Sequence, residues 1–325
     1  MGVYHFMGLG KSVGAVSCAV DYLEKSLELA SNDKSITFFS GSGGINHKEE
    51  NIGKIEAIVI FTSKEVIENN IIAFPFNGVE KPKGVREELV TQLRKIWKTQ
   101  PNLGRKIFWC DVDIDDFNDC FTKIVKVAYR FSPWGKTGKE IWCNLTGGAN
   151  AINIALLSMA RLTGLSTRLY LLSQKKEYQK EIQVPFSVNV IPGKDKYFIT
   201  IPYIKTRIDD YNFYIILEEL NTVGSSIKTS DLFARIKSKP QFQSLDIETF
   251  IRQYLLKLYG LNYTLYNKDQ GEVALSSDGK YFLDYELERL YSIISLENEI
   301  NQGTLNIVDE SKQWTWLTEF NLDNP

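Results

Sequence analysis

The chain has 325 residues and a net charge of -2, with 43% hydrophobic and 24% charged residues, which is typical of a folded protein long enough for two domains. No apolar run approaches the roughly 20 residues of a membrane span, and the first residues lack a basic leader with a long apolar stretch, so we expect no membrane segment and no signal peptide. Four cysteines without a CxxC pair, and only two histidines, indicate a cytoplasmic protein with reduced thiols and without a metal or other cofactor.

The first two hundred residues alternate strand-like and helix-like segments. Short runs that are apolar on both faces predict central parallel strands, and apolar residues at helical spacing predict the helices between them. The strands are predicted at Val3–Met7, Ile36–Phe39, Ala57–Phe61, Ile107–Cys110, Glu140–Leu145 and Arg168–Leu172, with a further β-rich stretch near Phe186–Ile201. The helices are predicted from Ala15 to Leu27 and at Val85–Trp97, Asp116–Tyr129 and Ala149–Leu162. This order predicts an α/β, Rossmann-like domain over residues 1–205, with a mostly parallel sheet and helices on both faces.

The pattern changes after Pro202. Three helices, a hairpin and a long helix are predicted at Tyr211–Leu220, Thr229–Ile236, Glu248–Tyr259, Tyr263–Leu275 and Tyr281–Ile294. Asp246 can cap the third helix. Three helices followed by a hairpin and a helix are the order of a winged helix-turn-helix, so we predict a winged-helix (α+β) domain over residues 206–325.

The two predicted domains differ in charge. Residues 1–205 carry 27 Lys and Arg against 21 Asp and Glu, whereas residues 206–325 carry 11 against 19. The first domain therefore favours an anionic ligand, and the second disfavours nucleic acid. The predicted third helix offers only Arg252 and Lys257 as cations, and Trp314 and Trp316 are either core residues or a surface for a protein partner.

Three glycine-rich turns, Gly8–Gly14, Ser40–Gly44 and Thr146–Asn150, each follow a predicted strand. The carboxyl ends of parallel strands meet at one edge of a sheet, where glycine allows close backbone approach and helix N-termini offer free N–H groups to anions. We therefore predict a phosphate-binding edge. Its candidate ligand-binding residues are Gly8, Leu9, Gly10, Lys11, Ser12, Gly41, Ser42, Gly43, Asn144, Thr146, Gly147, Gly148 and Asn150. The alternative, in which these are simple tight turns and the asparagines are caps, stays open.

Two familiar nucleotide motifs do not fit these turns. A P-loop needs a glycine where His5 stands, and a dinucleotide fingerprint needs a glycine where Val13 stands. Ser40 and Gly41 end the second predicted strand, where a ribose-binding carboxylate would be expected. ATP hydrolysis and NAD binding are therefore disfavoured.

The segment Asn144–Asn150, Asn-Leu-Thr-Gly-Gly-Ala-Asn, resembles the CRISPR-associated Rossmann fold (CARF) family, in which a late strand ends in a Thr-Gly-Gly turn before an apolar helix. Gly8–Ser12 stands where that family has its first ligand loop, and the resemblance covers about residues 1–200. The resemblance implies a homodimer that binds a ring of three, four or six adenylates made by a type III CRISPR complex. By position, the site would be lined by Lys11, Ser12, Thr146, Gly147, Gly148 and Asn150. One departure is that Asn150 replaces the lysine usual in this loop.

Three functions follow as hypotheses. The first is an antiviral sensor that binds a cyclic oligoadenylate, with cyclic tetra-adenylate as the leading candidate, and relays its presence through the winged helix. The second is a metal-independent ring nuclease, in which a ribose 2′-OH attacks the neighbouring phosphate and Lys11 and Ser12 act as catalytic residues. The third is a nucleotide-binding regulator of Rossmann type, or a ligand-responsive DNA-binding regulator; the acidic second domain disfavours DNA. No histidine follows His47, so the HEPN ribonuclease of many CARF proteins is not expected, and the segment Phe74–Gly78 is either a lid or a plain loop.

Overall fold

The computed structural model describes residues 2–32, 54–74, 83–97, 105–133, 138–172, 198–201 and 212–322. These residues form two compact units: unit 1 comprises residues 1–205 and 299–325, and unit 2 comprises residues 206–298. The chain passes from unit 1 to unit 2 at 205/206. The last 27 residues, which the prediction places in the second domain, belong instead to unit 1.

Unit 1 contains a seven-stranded sheet within the described residues, in the order β10-β3-β2-β1-β4-β5-β6. The strands are β1 (Val3–Gly8), β2 (Ile55–Thr62), β3 (Lys106–Asp111), β4 (Glu140–Asn144), β5 (Ser166–Leu172), β6 (Phe198–Ile201) and β10 (Leu317–Asn321). Strands β1 to β5 run parallel, and the edge strands β6 and β10 are antiparallel to their neighbours. The predicted Rossmann-like α/β class is confirmed.

Five helices of unit 1 connect the parallel strands: α1 (Gly14–Asn32), α2 (Lys64–Ile67), α3 (Val85–Trp97), α4 (Phe117–Phe131) and α5 (Asn150–Thr163). Helix α1 packs against α3, and α4 packs against α5. Successive side chains of β1 point to opposite faces. Tyr4 and Phe6 meet Phe131 of α4, whereas Val3 and Met7 join the core that α1 and α3 cover. Helices therefore lie on both faces of the sheet.

Strand β10 completes one edge of the sheet and was not predicted. It pairs with β3 from Leu317 opposite Cys110 to Asn321 opposite Lys106, and Lys106 forms an ion pair with Glu319. Its sequence signal is weak, because the strand is short and its exposed middle residues include a glutamate, a residue type that is depleted in strands.

Trp314 and Trp316 belong to unit 1, because they come directly before β10. Their rings stack with centroids 4.6 Å apart, and Trp314 is buried. The ammonium group of Lys123 in α4 lies 5.8 Å from the Trp316 ring centroid. Of the two alternatives that the sequence leaves open for these residues, burial of Trp314 favours a core role in unit 1.

The predicted strand Ile36–Phe39 and the turn Ser40–Gly44 lie outside the described residues, as does most of the β-rich stretch Phe186–Ile201. Among the described residues, no helix is both long enough and apolar enough to cross a bilayer.

Unit 2 begins with helix, strand and helix: α6 (Asn212–Val223), β7 (Ile227–Lys228) and α7 (Thr229–Ile236). A second helical stretch consists of α8 (Ile247–Phe250), a π-helical turn (Ile251–Leu255) and α9 (Leu256–Gly260). Strands β8 (Thr264–Asn267) and β9 (Glu272–Leu275) form the hairpin, and α10 (Ser277–Tyr281), a second π-helical turn (Phe282–Glu286) and α11 (Leu287–Gln302) follow. Strand β9 pairs with both β7 and β8. A short helix that follows, α12 (Ile307–Glu310), belongs to unit 1. Asp246 caps the second helical stretch, as the sequence indicates, by accepting a hydrogen bond from the Thr249 amide at 2.7 Å.

A buried histidine lies in the middle of the unit 1 sheet. His5 on β1 is inaccessible to solvent, its Nδ1 is 2.7 Å from the Tyr170 hydroxyl, and its ring meets Trp142 edge to face. Burial lowers the pKa of His5 to about 3, with a smaller contribution from the charge of Arg168. His5 is therefore neutral in the folded chain at neutral pH.

We expect His5 to reduce stability as the pH falls. Below about pH 6.5 the unfolded chain protonates this side chain while the folded chain does not, so the free energy of unfolding should fall by up to about 1.4 kcal/mol per pH unit until pH approaches 3. Chemical denaturation between pH 7.5 and 4.5 should show a shallower fall for His5→Gln than for the parent. Parallel profiles would contradict this expectation.

Candidate functional site

The order of the strands reverses between β1 and β4. From β1 the chain continues to β2 and β3 on one side, whereas β4 and β5 lie on the other side. In open α/β sheets, ligands bind at such a switch point, outside the carboxyl ends of the strands. The loops after β1 and β4 are the first and third predicted glycine turns, so the structure brings these two together there.

The loop after β1 combines an anchored start with an exposed middle. The Leu9 amide donates to the Phe61 carbonyl at 3.1 Å, and the Leu9 carbonyl accepts a hydrogen bond from the Thr62 hydroxyl at 2.7 Å. Leu9 is buried, so its side chain belongs to the core, whereas Lys11 and Ser12 are exposed. Of this loop, Lys11 and Ser12 present their side chains to solvent, and Leu9 holds the loop in place.

The loop after β4 is held by its own polar side chains. Asn144 is buried; its amide donates to the Ala15 carbonyl at 3.1 Å, and its oxygen accepts from the Thr146 amide at 2.9 Å. The Thr146 hydroxyl accepts from the Leu172 amide at 2.7 Å. Asn144 was predicted to bind ligand, but both of its polar atoms are used inside the fold, where it joins β4 to the start of α1. Asn150 is exposed.

The two loops touch backbone to backbone through glycines. A Cβ atom built on Gly147 would lie 2.8 Å from the Gly8 carbonyl oxygen and 2.7 Å from the Cβ of Ala15. A Cβ on Gly148, where φ is +85°, would lie 2.7 Å from the Gly8 Cα. Glycine is therefore required at these positions by the packing of one loop on the other. Gly10 differs, because a Cβ there would meet nothing within 4 Å.

Both loops lead into helix N-termini. Helix α5 begins after Ala149, which offers no side-chain cap, and neither α5 nor α1 carries an acidic residue in its first turn. The first N–H groups of a helix lack intrahelical partners, and the helix dipole favours negative charge there. Two long helices thus start beside the two touching loops, and neither has a carboxylate in its first turn to compete with an anion.

Negative charge lies further along the edge, after β3. Asp111 is the last residue of this strand, and Asp113, Asp115, Asp116 and Asp119 follow it. Burial raises the pKa of the Asp111 carboxyl, and Lys123 and Lys64 act against that rise. An anion is therefore favoured at the β1–β4 side of the edge and disfavoured at the β3 side.

The charge of unit 1 as a whole is weaker than that of residues 1–205 alone. The C-terminal segment 299–325 adds one lysine and five acidic residues, which brings the unit to 28 cations and 26 anions. Attraction for an anion therefore depends on the local group Lys11 and on the helix N-termini, rather than on net charge.

Of the predicted ligand-binding residues, Lys11, Ser12 and Asn150 are exposed, Gly10, Thr146 and Gly148 are half-buried, Gly8, Leu9, Asn144 and Gly147 are buried, and Gly41, Ser42 and Gly43 lie outside the described residues. The sequence left Phe74–Gly78 as either a lid or a plain loop; of this segment only Phe74 lies within the described residues. The Phe74 amide donates to the Lys11 carbonyl at 3.0 Å, a backbone contact that no sequence pattern reveals.

No family model matches the chain. An uncharacterized protein of Archaeoglobus fulgidus is 30% identical over an alignment of 191 residues, which covers 54% of this chain and 58% of that protein. Among solved structures, Csm6 of Enterococcus italicus bound to cyclic hexa-2'-fluoro-hexa-dAMP matches with a TM-score of 0.37 and 14% identity, covering 80% of this chain and 55% of that one. The chain thus spans less than two thirds of the length of each of these two proteins.

The contact between the glycines predicts that a larger side chain destabilises the loop after β4 more than the loop after β1. Gly147→Val should lower the free energy of unfolding by about 1–3 kcal/mol or more, because the new side chain meets Gly8 and Ala15. Gly10→Val adds the same atoms into open space and should change stability by less than about 0.5 kcal/mol. Urea unfolding of both variants measures this, and equal losses would show that the loops do not pack as described.

Proposed function

We propose that unit 1 is a CARF-type sensor domain that binds a cyclic oligoadenylate across the loops after β1 and β4. The proposal is carried by two loops that meet at the topological switch point: one has Lys11 and Ser12 exposed, and the other contains a Gly-Gly turn. Each loop leads into a long helix that has no carboxylate in its first turn. The resemblance of Asn144–Asn150 to the family's Thr-Gly-Gly turn names the ligand class.

The local charge supports a homodimer as the binding form. Lys11 is the one cation in the segments Gly8–Val13 and Thr146–Asn150. A ring of four adenylates carries four phosphate charges, which one lysine does not balance. Two copies whose edges face each other would place two lysines and four helix N-termini around one ring.

The same two loop segments contain no carboxylate, histidine, cysteine or tyrosine. General acid–base catalysis needs such a group within hydrogen-bonding reach of the reacting atoms. Asn150 also stands where the family has a lysine. We therefore favour binding without rapid cleavage. If the ring is opened by its own 2′-OH, Lys11 and Ser12 would stabilise the charge that develops, and cleavage should be slow.

Unit 2 is proposed to be a winged-helix module that acts through protein contact. Its order of helix, strand, two helical stretches, hairpin and helix, with β7 joining the hairpin, supports the winged-helix assignment. Residues 206–298 carry 10 Lys and Arg against 14 Asp and Glu, so the average field opposes DNA.

Lys11→Ala should weaken binding of cyclic tetra-adenylate by roughly tenfold or more, because a charge-assisted contact to phosphate is lost. Gly10→Val should also weaken binding, because it adds bulk to the open side of the same loop without disturbing the fold. Isothermal titration with the purified full chain, in buffer containing EDTA, gives the affinities, and chromatography of the recovered ligand shows whether it has been cleaved.

Lys106→Ala is the matched control, because it removes the same charge at the amino end of β3, at the opposite edge of the sheet. It should bind as the parent does. Equal losses for Lys11→Ala and Lys106→Ala would mean that net charge alone matters, and unchanged affinity in Lys11→Ala would move the site elsewhere. Linear products at a steady rate would favour the ring nuclease.

We expect the full chain to bind random duplex DNA poorly at about 150 mM salt, because nonspecific binding depends on phosphate neutralisation and counterion release. The intact chain is the right sample, since residues 299–325 belong to unit 1 and a fragment from 206 onward would carry an unpaired β10. A mobility shift with sub-micromolar affinity and a steep salt slope would support a DNA-binding regulator instead.

A further inference from the structure

Phe74 is an exposed aromatic residue fixed beside the first ligand loop. Its amide donates to the Lys11 carbonyl at 3.0 Å, so the backbones of the two residues are in direct contact. Its side chain is 58% exposed, although burying a phenylalanine is favourable by about 1.5–3 kcal/mol. An aromatic ring left in water next to the loop's lysine is available to a ligand held by that lysine.

The segment that carries Phe74 is hydrogen-bonded to residues 83–85, further along the chain. Residues 71–74 run alongside residues 83–85: the Ala73 amide donates to the Lys83 carbonyl and the Val85 amide to the Ile71 carbonyl, both at 3.0 Å. Ile72 forms a bridge with Gly84. Backbone hydrogen bonds thus join Phe74 to Lys11 and its neighbour Ala73 to Lys83. A residue positioned in this way before binding reduces the loss of conformational entropy when a ligand binds.

The exposure along this segment alternates, as in an extended strand. Ile72 is 58% exposed, Ala73 is buried, and Phe74 is 58% exposed. Ile72 and Phe74 therefore stand on the same side of the segment with equal exposure. They differ in chemistry, because only Phe74 has a π-face.

We propose that Phe74 is the stacking platform for an adenine of the ligand whose phosphate meets Lys11. This inference rests on the proposed function and adds a residue that selects a nucleobase. Stacking on an aromatic side chain is a general means of holding a base whose phosphate is held by a cation. It also gives the loop two points of contact with one nucleotide, phosphate at Lys11 and base at Phe74.

The test compares four single variants of the full chain by isothermal titration with cyclic tetra-adenylate and cyclic hexa-adenylate. Phe74→Ala should weaken binding roughly 5- to 150-fold, the range found when a base-stacking aromatic is removed. Phe74→Leu should weaken it comparably, because leucine keeps an apolar side chain but lacks the π-face, whereas Phe74→Tyr should bind as the parent does. Ile72→Ala is the matched control and should have little effect.

The outcomes separate this inference from the proposed function. If the parent binds a ring and Phe74→Leu binds equally well, stacking is refuted while the sensor proposal stands. If Ile72→Ala loses as much affinity as Phe74→Ala, the two residues act as a plain apolar surface and the inference is also refuted. If the parent binds neither ring, the sensor proposal fails and the inference fails with it.

Discussion

The close contact between the loop after β1 and the loop after β4 is the constraint on which the site depends. Gly8 meets Gly147 and Gly148 so closely that no side chain fits between them. The contact fixes the spacing of the two helix N-termini, because α1 and α5 start a few residues beyond it. Asn144 reinforces it by hydrogen bonding to the first turn of α1. The glycines that in sequence indicate close approach to a ligand therefore serve, in part, to pack the two loops against each other.

This constraint divides the residues of the two turns into two groups. Buried residues such as Asn144 and Leu9 hold the loops, whereas exposed residues such as Lys11 and Asn150 remain free to interact with solvent or ligand. The distinction matters for mutagenesis. A substitution at Gly147 reports on folding, and only a position with open space around it, such as Gly10, reports on ligand approach.

Much of the fold was predictable, because its signals are local. The parallel strands are apolar on both faces and the helices have regular apolar spacing, so Val85–Trp97 and Thr229–Ile236 were predicted with the bounds that the structure shows. The candidate edge followed from the rule that parallel strands end together. What escaped prediction depends on long-range pairing: β10 is defined by a partner some 200 residues earlier, and the place of Phe74 by a backbone hydrogen bond to Lys11. The burial of Asn144 was not predictable either, because an asparagine at the end of a strand can cap a helix, bind a ligand or hydrogen-bond to a neighbouring loop.

The pairing of β10 with β3 has a consequence for how the chain is made. Unit 1 is discontinuous: the chain leaves it at Lys205 and returns at Glu299, so unit 2 is inserted within it. During synthesis β3 emerges from the ribosome long before β10 does, and its outer edge stays unpaired until Leu317–Asn321 are available. Unit 2 is complete before unit 1 can be. The sheet of unit 1 therefore cannot be completed until Leu317–Asn321 have been made, and a chain interrupted before them would expose a strand edge that invites association with other chains.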